Sequence, residues 1–174
     1  IPSIEWFGKV TNGRHHTLVM ELMGPSLESV RQKYEHGRLP ITKVLHLGLQ
    51  ILRRLEHCHS RGVLHRDIKP ENLVLGRDRH RRRCFLVDFG LAKHYLHPTT
   101  RQHIPIRHGK NLTGSARYCS LATHEGVEQS RRDDLESLAY TLIYLTCGKL
   151  PWQGLQGKKA ERYLQIKRLK RDTS

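Results

Sequence analysis

Aromatic residues are scarce in this chain, at 6% of 174 positions, and they do not alternate with basic residues in the way that stacks nucleic-acid bases. Acidic residues are also few: 16 Asp and Glu face 31 Lys and Arg. No run of about 18 apolar residues exists, so the sequence offers no membrane-spanning helix. No apolar stretch with a cleavage site opens it, so no secretory signal is visible. The four cysteines, Cys58, Cys84, Cys119 and Cys147, form no CxxC pair. That argues against a structural zinc site and a disulfide framework, and favours reduced, mostly buried thiols of a cytosolic or nuclear protein. His57-Cys58-His59 does not change this, because neighbours on a helix point in different directions.

What is abundant is positive charge, a formal +15. Such a field attracts nucleic acid, acidic membranes, or acidic and phosphorylated proteins, and charge alone does not choose among them. Its densest stretch, Arg77–Arg83, could serve nuclear import or nucleic-acid contact. Lacking aromatic neighbours, it reads better as a solvated hairpin tip. The length suits one modest core. The chain opens at Ile1 and stops in the charged stretch Lys167–Ser174, and reads as a piece of something longer.

Local patterns predict two strands, Ile4–Val10 and His16–Leu22, around a turn at Asn12-Gly13. Gly24-Pro25 breaks the chain; Ser26 caps a helix to about Glu35, ended by Gly37. Thr42 is expected to cap the next helix, with Leu45, Leu49, Leu52 and Leu55 at helical spacing to Cys58 and a stop at Gly62. Leu73–Leu75 and Phe85–Val87 predict a hairpin bracketing the basic tract. Gly90 to about Glu128 reads as a long loop of the kind that usually carries function. Leu135, Leu138, Ala139, Leu142 and Ile143 mark an apolar helix ended by Gly148 and Pro151. A basic helix, Lys158 to Lys170, would face inward with Tyr163, Leu164, Ile166 and Leu169. No internal repeat occurs.

Two motifs carry chemistry. Residues His65 to Asn72 read HRDIKPEN, and Asp88-Phe89-Gly90 begins sixteen residues after Asn72. A lone DFG means little, but an eight-residue match with DFG at this distance is specific: it sets an acid beside an attacking hydroxyl and oxygen ligands around magnesium. By these residues the chain resembles a eukaryotic protein kinase. LVMELMGPSLE (18–28), LTGSARY (112–118), GVEQSRRDDLESLAY (126–140) and LPWQGL (150–155) resemble the casein kinase I family in particular, and the likeness runs from IPSIEWFG to KKAERY.

The resemblance implies a truncated kinase-like α+β fold. Residues 1–23 would be a small-lobe remnant with hinge, and 24–174 a mainly helical large lobe, incomplete at its C-terminal end. It implies ATP-dependent phosphorylation of Ser or Thr in acidic or phosphoprimed proteins, with ATP and Mg2+ as cofactors. Asp67 would orient the substrate hydroxyl and Lys69 would offset charge on the transferred phosphate; Asn72 and Asp88 would hold magnesium. Met20 would stand at the gatekeeper position, the backbone of Glu21 and Met23 would hydrogen-bond the adenine edge, and Val74 and Val87 would form its apolar floor. Arg117, Gly154 and Arg162 match the family's anion site, where guanidinium groups suit a phosphate dianion; Arg162 stands one residue closer to Trp152 than expected. Arg66 would position the activation segment, Asp134 would accept backbone hydrogen bonds from the catalytic loop, and Asp133 would be a solvated or capping acid. Thr113 and Ser115 carry no assigned role.

The sequence also departs from the family. It has no glycine-rich loop, no lysine in a VAIK-like strand and no helix glutamate to pair with one, and Ala122 stands where Asn is usual. These residues by themselves are therefore expected to be weak or inert. A non-catalytic pseudokinase that binds acidic or phosphorylated partners is the alternative, and a basic nucleic-acid-binding protein a weaker one. A monomer without a membrane segment, cytoplasmic or nuclear, is expected.

Overall fold

The structure, a computed structural model, describes residues 1–9 and 15–173. Strands β1 (Ile4–Lys9) and β2 (His16–Met20) pair antiparallel, with Lys9 opposite His16. The predicted Asn12-Gly13 turn, and Val10 at the end of the first strand, lie outside the described residues. Helix α1 (Leu27–Arg31) starts where Ser26 Oγ accepts the Ser29 N–H at 3.2 Å. It stops short of Glu35, because His36 and Gly37 take φ of 52° and 62° and turn the chain. Arg31 donates to the Gly37 carbonyl at 3.1 Å and closes that turn.

Helix α2 (Ile41–Ser60) begins at Pro40, whose fixed φ suits helix entry, so Thr42 lies inside the first turn rather than capping it. Its buried face is Val44, Leu47, Ile51, Leu55 and Cys58. Leu45, Leu49 and Leu52 point outward instead, between 45% and 62% exposed. The helix carries apolar residues on both sides, and tertiary contacts choose between them. It packs on α4 (Arg131–Cys147), where a Cβ added to Gly48 would already crowd Leu142 at 3.1 Å.

Strand β3 (Val63–Leu64) pairs with β6 (Lys93–His94), and β4 (Leu73–Leu75) with β5 (Cys84–Leu86), all antiparallel. The second pair is the predicted hairpin, its returning strand one residue earlier than expected, with the basic tract at its tip. Gln50 of α2 holds the returning arm, donating to the Arg82 carbonyl and accepting the Cys84 N–H. The main core unites α1, α2, this hairpin and α4 around Leu27, Ile51, Leu55, Leu73, Leu86 and Leu145. The long segment from Gly90 to Glu128 is not featureless. It contains β6 and the short helix α3 (Leu121–His124), and Tyr95 donates to the His59 carbonyl at 2.6 Å.

Helix α4 opens with a capping box between Ser130 and Asp133 and ends at Gly148, φ 77°. Leu138 and Leu142 face the core, but Leu135, Ala139 and Ile143 face solvent. Beside Leu138, Tyr144 and Leu145, the buried positions are Asp133, Asp134, Ser137 and Thr141. Asp133 caps but is not solvated: it is 2% exposed and also accepts from Ser120 Oγ at 2.5 Å. Helix α5 (Lys159–Thr173) buries Ile166 and Lys170 against a second core of Tyr118, Tyr144, Leu150 and Trp152, while Leu164 is exposed. Among the described residues no helix is long and apolar enough to cross a membrane.

All four cysteines are free, three buried and Cys147 exposed. Burial pushes the Cys84 thiol up to about 12 and Cys119 to about 11. Native protein treated with a thiol reagent at neutral pH should therefore lose one thiol rapidly, at Cys147, and the others only on unfolding. Rapid labelling of a second cysteine, read by peptide mass, would contradict this packing.

Candidate active site

Residues 65–69 form an extended crossing between β3 and β4 whose backbone needs partners from elsewhere. Asp134, 1% exposed on α4, supplies them: its carboxylate accepts the His65 N–H at 3.0 Å and the Arg66 N–H at 2.8 Å. His59 Nε2 of α2 donates to the same carboxylate at 2.8 Å. Two helices thus fix one turn, which Arg66 enters with φ 69°. Arg66 Nε in turn donates to the Leu91 carbonyl at 2.6 Å, tying the loop to the segment after DFG.

His65 is fully buried, and desolvation pulls its pKa down. The neutral ring fits its bonds: Nε2 donates to the Val87 carbonyl at 3.0 Å, and Nδ1 accepts the Asp67 N–H at 3.3 Å. Phe89 meets it edge to face at 4.9 Å.

Asp67 is 8% exposed. Lys69 Nζ donates to Oδ2 at 2.6 Å, and the Ser115 N–H to Oδ1 at 2.9 Å. Burial alone would raise this carboxyl; the bonds from Lys69 and Ser115 outweigh it and hold the pKa below the usual range. Lys69 also reaches Ser115 Oγ at 3.3 Å. Acid, cation and hydroxyl therefore form one cluster, made possible by Gly114. There φ is 91°, and a Cβ would collide with the Arg66 carbonyl.

Asn72 Nδ2 donates to the Asp67 carbonyl at 2.9 Å, which leaves its amide oxygen to act as an acceptor. Its backbone carbonyl accepts from Val87 at 3.0 Å, one residue before Asp88. Asp88 takes φ 64° and accepts the Gly90 N–H at 3.2 Å. Among the described residues no three His, Cys, Asp or Glu side chains cluster as a metal cage. An amide oxygen and one carboxylate instead fit a hard cation that completes its shell with water and phosphate oxygens, as magnesium does.

The five residues expected around a nucleotide divide. Met20 and Val87 line an apolar cavity of about 600 Å³ together with Leu18, Asp88 and Phe89; Ile1 and Ile4 also border it. Glu21 and Met23 line a neighbouring cavity of about 290 Å³ beside Arg77, Arg79 and Phe85. The Glu21 N–H is already bonded to the Ser3 carbonyl at 3.2 Å. Val74 lines neither cavity; it is 9% exposed and bridges to Ser26.

At the expected anion site, Arg117 is exposed, with its guanidinium 5.7 Å from the Tyr118 ring centre and 5.8 Å from that of Tyr144. Its carbonyl accepts from Trp152 Nε1 at 2.7 Å, which brings the turn carrying Gly154 alongside. Gly154 has φ 76° and open space around it, and Arg162 is exposed on α5.

Sequence reasoning missed Ser115, whose N–H and hydroxyl complete the Asp67–Lys69 cluster, and His59 and Lys170, both buried. The TGS stretch at 113–115, a glycine before a small polar residue, was the available signal for the first. A model of the protein kinase domain matches residues 3–173. That span covers every element described above, and on it the chain belongs to the protein kinase family.

Proposed function

We propose that these residues are the catalytic core of a Ser/Thr kinase of casein kinase I type, acting on acidic or phosphoprimed proteins. What carries the reading is the Asp67 carboxylate, held between Lys69 and Ser115 with Asn72 alongside. An aspartate kept ionised at neutral pH can accept the proton of a substrate hydroxyl as its oxygen attacks the γ-phosphate. Lys69, 2.6 Å away, would offset charge on the transferred group. Asn72 and Asp88 would hold magnesium, which when bound neutralises charge on the phosphate oxygens. Met20 and Val87 would enclose the nucleotide's apolar face. Residues 1–23 act in this reading as hinge and small-lobe remnant, and 24–174 as the large lobe. Arg117, with Gly154 and Arg162, would take the priming phosphate.

The missing glycine-rich loop and strand lysine set the expected rate. Without the donors those two features place on the nucleotide phosphates, transfer should fall by orders of magnitude. Incubated with ATP, magnesium and a phosphoprimed serine peptide, these 174 residues should transfer phosphate near background. What remains should vanish in Asp67→Asn. Substantial Asp67-dependent turnover would refute the weakness; turnover that survives Asp67→Asn would refute the role of Asp67.

A further inference from the structure

Lys170 stands near the end of α5, in a run of lysines and arginines that reads as solvated surface, yet it is 1% exposed. Its Nζ donates to the Ala116 carbonyl at 3.1 Å and to the Cys119 carbonyl. It also lies over the rings of Tyr140 and Trp152, 4.7 and 5.1 Å from their centres. The same stretch is gripped twice more. His124 Nε2 donates to the Ala116 carbonyl at 3.0 Å, and Trp152 Nε1 to that of Arg117. The carbonyls on either side of Arg117, and its own, are thus held from α3, α5 and the turn after α4. The Arg117 side chain itself is exposed beside the Tyr118 and Tyr144 rings.

An ammonium is costly to bury, and methionine would fill much of the same volume without that cost. A cation earns this position only if its directed bonds matter. We propose that Lys170 is a positioning residue for substrate recognition: through the Ala116 and Cys119 carbonyls it sets the backbone that presents the Arg117 guanidinium to a phosphorylated residue of the substrate. This rests on Arg117 being the phosphate-binding group.

The grip also responds to pH. Burial pulls the Lys170 ammonium down to about 8. Glu136 and Tyr140 face it from α4, the Cys119 thiol from the gripped segment and His124 from α3, with Lys167 acting on His124. Tyr140 and Cys119 are pushed up by burial and stay protonated from pH ~7 to ~9.5, and His124, pulled down to about 4, stays neutral. Above about 8, Lys170 becomes an amine that donates more weakly, since charge-assisted bonds are the stronger ones.

Fluorescence anisotropy of the 174-residue protein with an acidic peptide carrying one phosphoserine, and with its unphosphorylated twin, tests this. Wild type should prefer the phosphopeptide, and Arg117→Ala should abolish the preference. Lys170→Met should cut it on the order of tenfold at pH ~7. The wild-type preference should fall several-fold toward pH ~9.5, whereas Lys170→Arg, which stays charged, should keep it at both pH values. If Lys170→Met does not fold, the pH series on wild type and Lys170→Arg decides. A wild-type preference that ignores both pH and Lys170→Met overturns the role of Lys170 and leaves Arg117 standing. No preference in wild type means the Arg117 reading fails, and Lys170 falls with it.

Discussion

Asp134→Ala should cost these residues about 3–5 kcal/mol of folding stability, enough to leave a domain of this size largely unfolded at modest urea. The side chain is 1% exposed and accepts from His59 Nε2, the His65 N–H and the Arg66 N–H. Truncation leaves these buried donors without their acceptor. Stranded donors are what make such losses large; the bonds' net worth is much smaller. Asp134→Asn keeps the shape but turns an NH2 group toward N–H donors, so it should recover less than half of the loss. Arg132→Ala, on the exposed side of the same helix, should shift the urea midpoint little. A loss under about 1 kcal/mol for Asp134→Ala would show that the catalytic loop holds itself.

That dependence also explains what could be read in the sequence. HRDIKPEN and DFG are contiguous, and their chemistry is written in residue order. The hairpin around Arg77–Arg83 was equally legible, since two short apolar runs flank a polar tip. Which face of α2 turns inward was not, because Leu45, Leu49 and Leu52 keep helical spacing as well as Val44, Leu47 and Ile51 do. Only the positions of α4 and β5 decide it. In α4 the apolar residues misled for a different reason. The helix gives four of its buried positions to Asp133, Asp134, Ser137 and Thr141, and Asp134 serves a loop 69 residues away. Ser115 joins Asp67 across 48 residues and Lys170 reaches Ala116 across 54, separations at which local pattern carries no information.

Lys170 gives the second large effect, with a sign that separates stability from positioning. Its pKa is drawn down from 10.5 to about 8, so between those values the folded chain has released a proton that the unfolded chain still holds. Stability rises with pH wherever the unfolded state binds more protons. The contribution is therefore complete above pH ~10.5 and lost as the pH falls through about 8. The stability of wild type minus that of Lys170→Met should grow by about 3 kcal/mol across this window, since each pKa unit is worth about 1.4 kcal/mol. Subtracting the variant cancels other groups that titrate there. Urea unfolding of both proteins at stepped pH measures it; a flat difference would show that Lys170 ionises like a solvated lysine, and a falling one that folding holds its proton more tightly. Over the same interval the preference for a phosphoserine peptide should decline. A side chain that merely fills space would move neither quantity. One that serves only the fold would move the first alone. Only a buried cation that holds Arg117 in place makes the protein more stable and less selective as it loses its proton.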